Sequence, residues 1–399
     1  MTAMHQRLET ARGEPRRRRG SVLVIVLVTL LFATTALLLF IERASTDLIV
    51  HVRDADRINL RMEAYSALET TLAVLVEFSD VLGGLHSPAE GWSEPLAWGD
   101  YEPGEGREVT VRFVDESGRL PFSQMDFEMW VRLFESWDVR ESEAESWADA
   151  LLGWSQEDYT AVSFDAPRAE DYERYELGFT PPARAPHSLA ELRAIDVIRD
   201  AFFDENGLPN QYFHRFAEAV TLLVYSAPNI NAASPGVLAA MGRFDETQQG
   251  LLGDYLSGGG VYRSRGPGYF TEANEVSSVL GDQALAGNFG ATILALRIIV
   301  EVRQGEARYT LSVVVSPNGG ARAATSPPIP EPLREEGAPE DAGSEREPTI
   351  AAAALAIAGP EGADDLPESI EYPFTLLSIQ EMDANANNAE ALRAAAVEF

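Results

Sequence analysis

From Ser21 to Ile41 the chain reads SVLVIVLVTLLFATTALLLFI, without a charged residue, directly after Arg16 to Arg19 and Gly20. At about 1.5 Å per helical residue, such a run crosses a hydrocarbon core of roughly 30 Å. Backbone polar groups in lipid must be satisfied within the segment, so the run is predicted to be a helix. It is longer than the core of a secretory signal, and no A-x-A-like site closes it. The arginines hold the preceding end in the cytoplasm and leave everything after Ile41 on the far side. The apolar pattern continues through Leu48, Val52, Ala55, Ile58, Met62, Tyr65, Leu68, Leu72 and Leu75, at spacings of three and four. One helix is therefore expected over residues 21–82, half in lipid and half packed on a globular body. Gly83-Gly84 is its stop signal.

Beyond the helix, Glu108 to Val114 alternates with the period of a strand, and Asp115-Glu116-Ser117-Gly118 is a turn. Phe127, Trp130, Val131, Phe134 and Trp137 recur at helical spacing, and a second helix is predicted over 141–154. Residues 155–185 form a polar loop too rich in aromatics to be a linker. Helices follow over 188–198, with Ser188 and Glu191 as a capping box, and over 210–223. Ser234 caps a short helix with Pro235 at its first position, and a helix over 245–256 stops at Gly258 to Gly260. Tyr269 to Leu280 repeats the plan of Pro186 to Ile198. Strands are predicted over 293–302 and 308–315, turning at Gln304-Gly305-Glu306. Residues 318–399 are rich in Pro, Ala, Glu and Gly and read as an acidic, largely disordered tail, in which Ile350–Ala358 and Tyr372–Ile379 are the segments apolar enough to dock.

Charge changes this picture at both ends. The formal net charge is -32 over 399 residues, and every basic residue is arginine. The leader, residues 1–20, holds six arginines against Glu9 and Glu14, a balance of +4, which leaves -36 for the rest. An acidic body repels phosphate backbones, which argues against nucleic acid as a partner and favours divalent cations or basic surfaces. The absence of cysteine excludes disulfides and thiolate metal sites.

No catalytic constellation is present. The five histidines are scattered, and there is no nucleophile elbow, phosphate-binding loop or dinucleotide fingerprint. Glu157, Asp158, Asp165, Glu170, Asp171 and Glu173 crowd one aromatic loop, which offers oxygen ligands to calcium and equally fits a solvated acidic surface. Asn229 to Met241 is similar to the opening of a helix-hairpin-helix module, but in so acidic a chain it reads as a packing unit.

Several segments, in the same order, resemble the minor pseudopilin K of the type II secretion system (general secretion pathway protein K). They are Arg19-Gly20-Ser21-Val22-Leu23, the turn from Asp115 to Ser123, Ala150-Leu151-Leu152-Gly153-Trp154, Glu170-Asp171-Tyr172, and His187 to Leu192. The sharpest is Ile230-Asn231-Ala232-Ala233-Ser234-Pro235-Gly236-Val237-Leu238. The resemblance spans residues 16–315. It departs at the first turn, which lacks the family's Asn-Leu-Asn, at the longer leader, and in the tail.

The resemblance implies an α+β fold: a long N-terminal helix packed on a small antiparallel sheet, with a large, mostly α-helical inserted domain. The domains would be a leader (1–20), the long helix (21–82), a pilin-like α/β domain (83–117 and 291–317), the insertion (118–290) and the tail (318–399). It implies no enzyme but a minor pseudopilin at the pseudopilus tip, assisting export of folded proteins across the outer membrane. Prepilin peptidase would cut between Gly20 and Ser21. The chain would cross the inner membrane once, with its globular part in the periplasm. Its partners would be the I- and J-type minor pseudopilins and the major pseudopilin. Family members bind calcium, which would fall to Glu157, Asp158, Asp165, Glu170 and Asp171 here. Position five of the mature helix, a glutamate in most pilins, is Ile25, a change that fits a tip subunit. Alternative readings are a type IV minor pilin and a membrane-anchored DNA-uptake receptor.

Overall fold

The computed structural model describes residues 19–164, 166–174, 178–242, 244–281, 288–317, 320–324 and 373–384. Its helices are α1 (Arg19–Leu82), α2 (Pro95–Trp98), α3 (Phe127–Glu135), α4 (Glu141–Ser155), α5 (Ala169–Glu173), α6 (Asp196–Phe202), α7 (Gln211–Ala219), α8 (Pro235–Ala240), α9 (Glu246–Ser257) and α10 (Ser277–Leu280). Its strands are β1 (Glu108–Asp115), β2 (Leu120–Pro121), β3 (Val220–Thr221), β4 (Leu223–Tyr225), β5 (Leu296–Gln304), β6 (Ala307–Pro317), β7 (Ala321–Ala323) and β8 (Phe374–Ala384).

Residues 1–59 and 60–399 are two separate units. In the first, the described residues are the N-terminal part of α1. Its apolar side chains are exposed, Leu23 at 72% and Phe32 at 73%, and an 18-residue window reaches a mean hydropathy of 2.9. By length and composition this helix is apolar enough to cross a membrane. Its hydroxyls turn back onto the helix: Thr29 donates to the Val26 carbonyl at 2.9 Å and Thr35 to that of Leu31 at 2.8 Å. Such back-bonding satisfies these threonine donors where water is scarce.

The second unit begins where α1 meets a sheet of order β1-β5-β6-β8, antiparallel throughout. Alternation decides which side of each strand is apolar. Val109, Val111 and Phe113 of β1 line up with Val302, Val300 and Ile298 of β5, and these in turn with Tyr309, Leu311 and Val313 of β6. This face packs on Leu60, Ala64, Ala67, Leu68, Leu72 and Leu75 of α1 to form one core. Gly305, at φ +59°, supplies the left-handed residue of the two-residue β5–β6 turn. The stripe predicted for α1 needs one correction. Ile58 and Met62 are exposed, and the covered face starts at Leu60. Helical spacing marks a face as apolar, but where the sheet lies decides which face is covered.

Between β1 and β5 the chain builds a second core of its own. Asp126 caps α3 by accepting from the Met129 amide at 2.8 Å. Trp130 stacks on Phe216 with ring centroids 5.6 Å apart and planes 2° from parallel, and Phe134 meets Trp137, Trp147 and Phe202 edge-on. Ser234 caps α8 with Pro235 at its start, as the sequence predicts. Two predicted helices are shorter. Residues 189–194 are a 3₁₀ turn, which Ile195 breaks with an extended backbone before α6 begins. α7 stops at Ala219 because Val220 and Thr221 pair in parallel with β2. The capping box at Ser188 is also replaced. Ser188 makes no side-chain cap, and Glu191 accepts from the His187 amide at 3.0 Å. The repeat at 269–280 uses the same bond, Thr271 amide to Glu275 at 2.8 Å.

The tail read as largely disordered, 318–399, contains structure. β7 pairs with β4, and β8 adds an eleven-residue fourth strand to the sheet beside β6. β8 overlaps Tyr372–Ile379, one of the two segments of the tail apolar enough to dock, and extends it to Ala384. What orders it is the open edge of β6.

Candidate functional site

The segments 115–118 and 229–232 meet where the helical region leaves and rejoins the sheet. Asp115 ends β1 and caps a 3₁₀ turn over 116–118. Its Oδ1 accepts from the Ser117 amide at 2.8 Å and the Ser117 hydroxyl at 2.5 Å. Its Oδ2 accepts from Asn229 Nδ2 at 2.7 Å. Asn229 also donates to the His86 carbonyl at 3.0 Å, and its amide donates to the Ser117 carbonyl at 2.7 Å. Asn231 Nδ2 reaches the carbonyls of Phe270 and Ala291, each at 2.9 Å, and its Oδ1 accepts from the Phe270 amide at 2.8 Å. Two asparagines thus satisfy backbone groups from four parts of the chain, as buried polar groups require. Burial pushes the Asp115 carboxyl up to about 6, against the pull of its bonds to Ser117 and Asn229.

Next to this clamp lies a buried ion pair. Glu116 accepts from Arg297 of β5 at 2.5 Å and from Arg119 at 2.5 Å. Tyr225 closes the far side, its hydroxyl donating to the Arg119 carbonyl at 2.5 Å and that of Glu116 at 3.1 Å. Gly118 is required by contact: a Cβ there would lie 2.6 Å from the Ala232 carbonyl oxygen and 2.7 Å from the Ala232 Cβ. The junction holds a geometry, its polar groups turned on one another.

The structure spreads the sequence-predicted site residues apart. Gly20 and Ser21 lie in the first turn of α1, and Ile25 follows on the same helix, 61% exposed. The leader up to Arg18 lies outside the described residues, as does Asp165. Glu157, Asp158 and Glu170 are exposed. Asp171 accepts from the Arg168 amide and from Arg174, each at 2.9 Å. Among the described residues no group of three or more histidine, aspartate or glutamate side chains is placed to hold a metal ion.

The loop is ordered by other groups. Asp149, buried in α4, accepts from the Tyr159 hydroxyl at 2.7 Å and the Ser163 amide at 2.6 Å. Trp154, Tyr172 and Phe179 pack their rings 5.3–6.0 Å apart.

A solved chain of the GspK-GspI-GspJ complex, from the type 2 secretion system of enterotoxigenic Escherichia coli, superimposes with a TM-score of 0.50. The match covers 83% of this chain and 98% of that one, at 11% sequence identity. The fold is pseudopilin-like. No family model matches the sequence, and no curated protein matches it.

Within that pseudopilin-like fold, pattern reasoning missed Arg297 and the Arg61–Glu381 pair. A signal for the first was present, since a lone arginine inside ALRIIV needs a buried acid and Glu116 follows a strand end. No local signal links Arg61 to Glu381.

Proposed function

We propose that this chain is a K-type minor pseudopilin, an assembly subunit and not a catalyst. The observation that supports it is the correspondence of fold over nearly the whole of a chain from a GspK-GspI-GspJ assembly. The N-terminal part of α1 anchors it once in the inner membrane, prepilin peptidase removes the leader after Gly20, and the globular part faces the periplasm. It packs with I- and J-type minor pseudopilins above the major pseudopilin and assists export of folded proteins across the outer membrane.

Ile25 favours the tip position. A lone carboxylate at mid-bilayer costs about 2.5–3.5 kcal/mol on insertion scales, so a glutamate there needs a neighbouring subunit's amine. A subunit with none above it does without that charge.

The test is to co-express the full chain with I- and J-type partners and solve the complex. A ternary complex with this chain uppermost is the expected result. A chain lying beneath either partner overturns the tip position, and failure to form any complex overturns the K-type reading.

A further inference from the structure

β8 is a strand delivered from a distance. Ala324 and Pro373 bracket 48 residues (325–372), the covalent route by which β8 joins the preceding body. At roughly 3.3–3.6 Å per extended residue, that length reaches about 160 Å. Closing so long a loop onto its own sheet costs entropy, and the same length lets the strand reach a neighbour's sheet.

The site that receives it is specified along its whole length. β6 pairs with β8 from Arg308↔Ala384 to Pro317↔Phe374, with an irregularity at Val314/Val315 that leaves Leu377 as the extra residue. Three side chains read the register. Phe374, 3% exposed, enters the core between sheet and α1. Leu377 packs on the opposite face, against the cluster of Tyr225, Ala295, Val314 and Ala321. Glu381 is gripped from α1: Arg61 donates to it through Nε at 3.0 Å and Nη2 at 2.8 Å, and the Tyr65 hydroxyl at 2.6 Å. The Arg61 bonds, then that of Tyr65, hold the Glu381 carboxyl down at about 2. Leu376 and Ile379 stay nearly half exposed and add little.

We infer that the β6 edge is a strand-acceptor groove for an extended segment of the pattern F-x-x-L-x-x-x-E, and that β8 of a second copy of this chain occupies it when chains fold side by side. The recognition elements outside β8 belong to β6, α1 and the cluster of Tyr225, Ala295 and Ala321, all within one acceptor chain, so the exchanged pairing repeats the same bonds. In dilute solution the chain's own strand prevails, because pairing within one chain does not weaken as the chain concentration falls. Crowding of folding chains reverses that preference.

The absence of cysteine gives a clean readout. Thr310 and Met382 face each other across the ladder, and antiparallel partners lie within disulfide reach. Full-length T310C and full-length M382C, carrying different tags, are co-expressed and oxidised. A two-tag disulfide dimer at least ten times more abundant than from the out-of-register pair T310C and T375C is the expected result. Equal yields from the two pairs, or no two-tag dimer from either, overturn the inference. The single chain carrying both T310C and M382C closes an internal disulfide and verifies that these substitutions keep the ladder.

Discussion

Asn229 and Asp115 are 114 positions apart in the chain and share a 2.7 Å hydrogen bond in a part-buried site. Through it, the strand that leaves the sheet is tied to the segment that returns from the helical region. Replacing Asn229 by alanine takes the Asn229 bond from Asp115 Oδ2, which leaves that carboxylate its Ser117 bonds, and leaves the His86 carbonyl only the Asn231 side chain at 3.3 Å. Hydrogen bonds to charged groups are worth about 1.5–3 kcal/mol and neutral ones about 1 kcal/mol, so a loss of roughly 2–3 kcal/mol is expected. Urea unfolding of a soluble fragment starting at Arg43 measures it, and a loss below about 1 kcal/mol would contradict the clamp.

The Glu116–Arg297 pair tests a different quantity. Glu116→Gln leaves a guanidinium buried with a neutral partner, which is expected to cost about 3–5 kcal/mol. Glu116→Leu with Arg297→Met removes both charges, and most of that loss should return. If the double variant is no more stable than Glu116→Gln, the pair does more than compensate its own burial.

Glycines separate contact from propensity. Gly118→Ala drives a methyl into Ala232 and must move the backbone. Gly250 and Gly253 lie inside α9 with nothing within 4 Å of an added Cβ. Alanine at either should raise stability by about 0.5–1 kcal/mol, while Gly118→Ala lowers it. Melting temperatures of the three variants give the comparison directly.

Two carboxylates pull stability in opposite directions with pH. Asp115 is raised from 3.8 to about 6, so the folded state holds its proton more tightly. Its contribution is full below about pH 4 and is lost as pH rises through 6. Glu381 is lowered from 4.5 to about 2; its contribution is present above 4.5 and is lost as pH falls towards 2. Asp115→Asn should flatten the stability profile between pH 4 and 6, and Glu381→Gln below 4.5. Unfolding midpoints from pH 2 to 8 decide between these windows.

Processing can be read from one mass. The proposed role requires the mature chain to start at Ser21, with the apolar helix retained. Intact-mass measurement of protein purified from membranes should give that N-terminus. A start beyond Ile41 would make the apolar run an ordinary signal and contradict the proposed role.

The sequence by itself determined the elements whose cause is local. The long helix and its stop at Gly83-Gly84, the cap at Ser234, and the alternation of β1, β5 and β6 all follow from period, capping and glycine placement. It also marked the segments 115–118 and 229–232 as distinctive. Only the tertiary structure decided that those segments bond to each other, since the groups that join them lie more than a hundred residues apart. The covered face of α1 depended likewise on where the sheet lies. β8 is the plainest case. Its own residues carry a weak pattern, and its order comes from an open strand edge and an arginine on α1, 320 positions earlier.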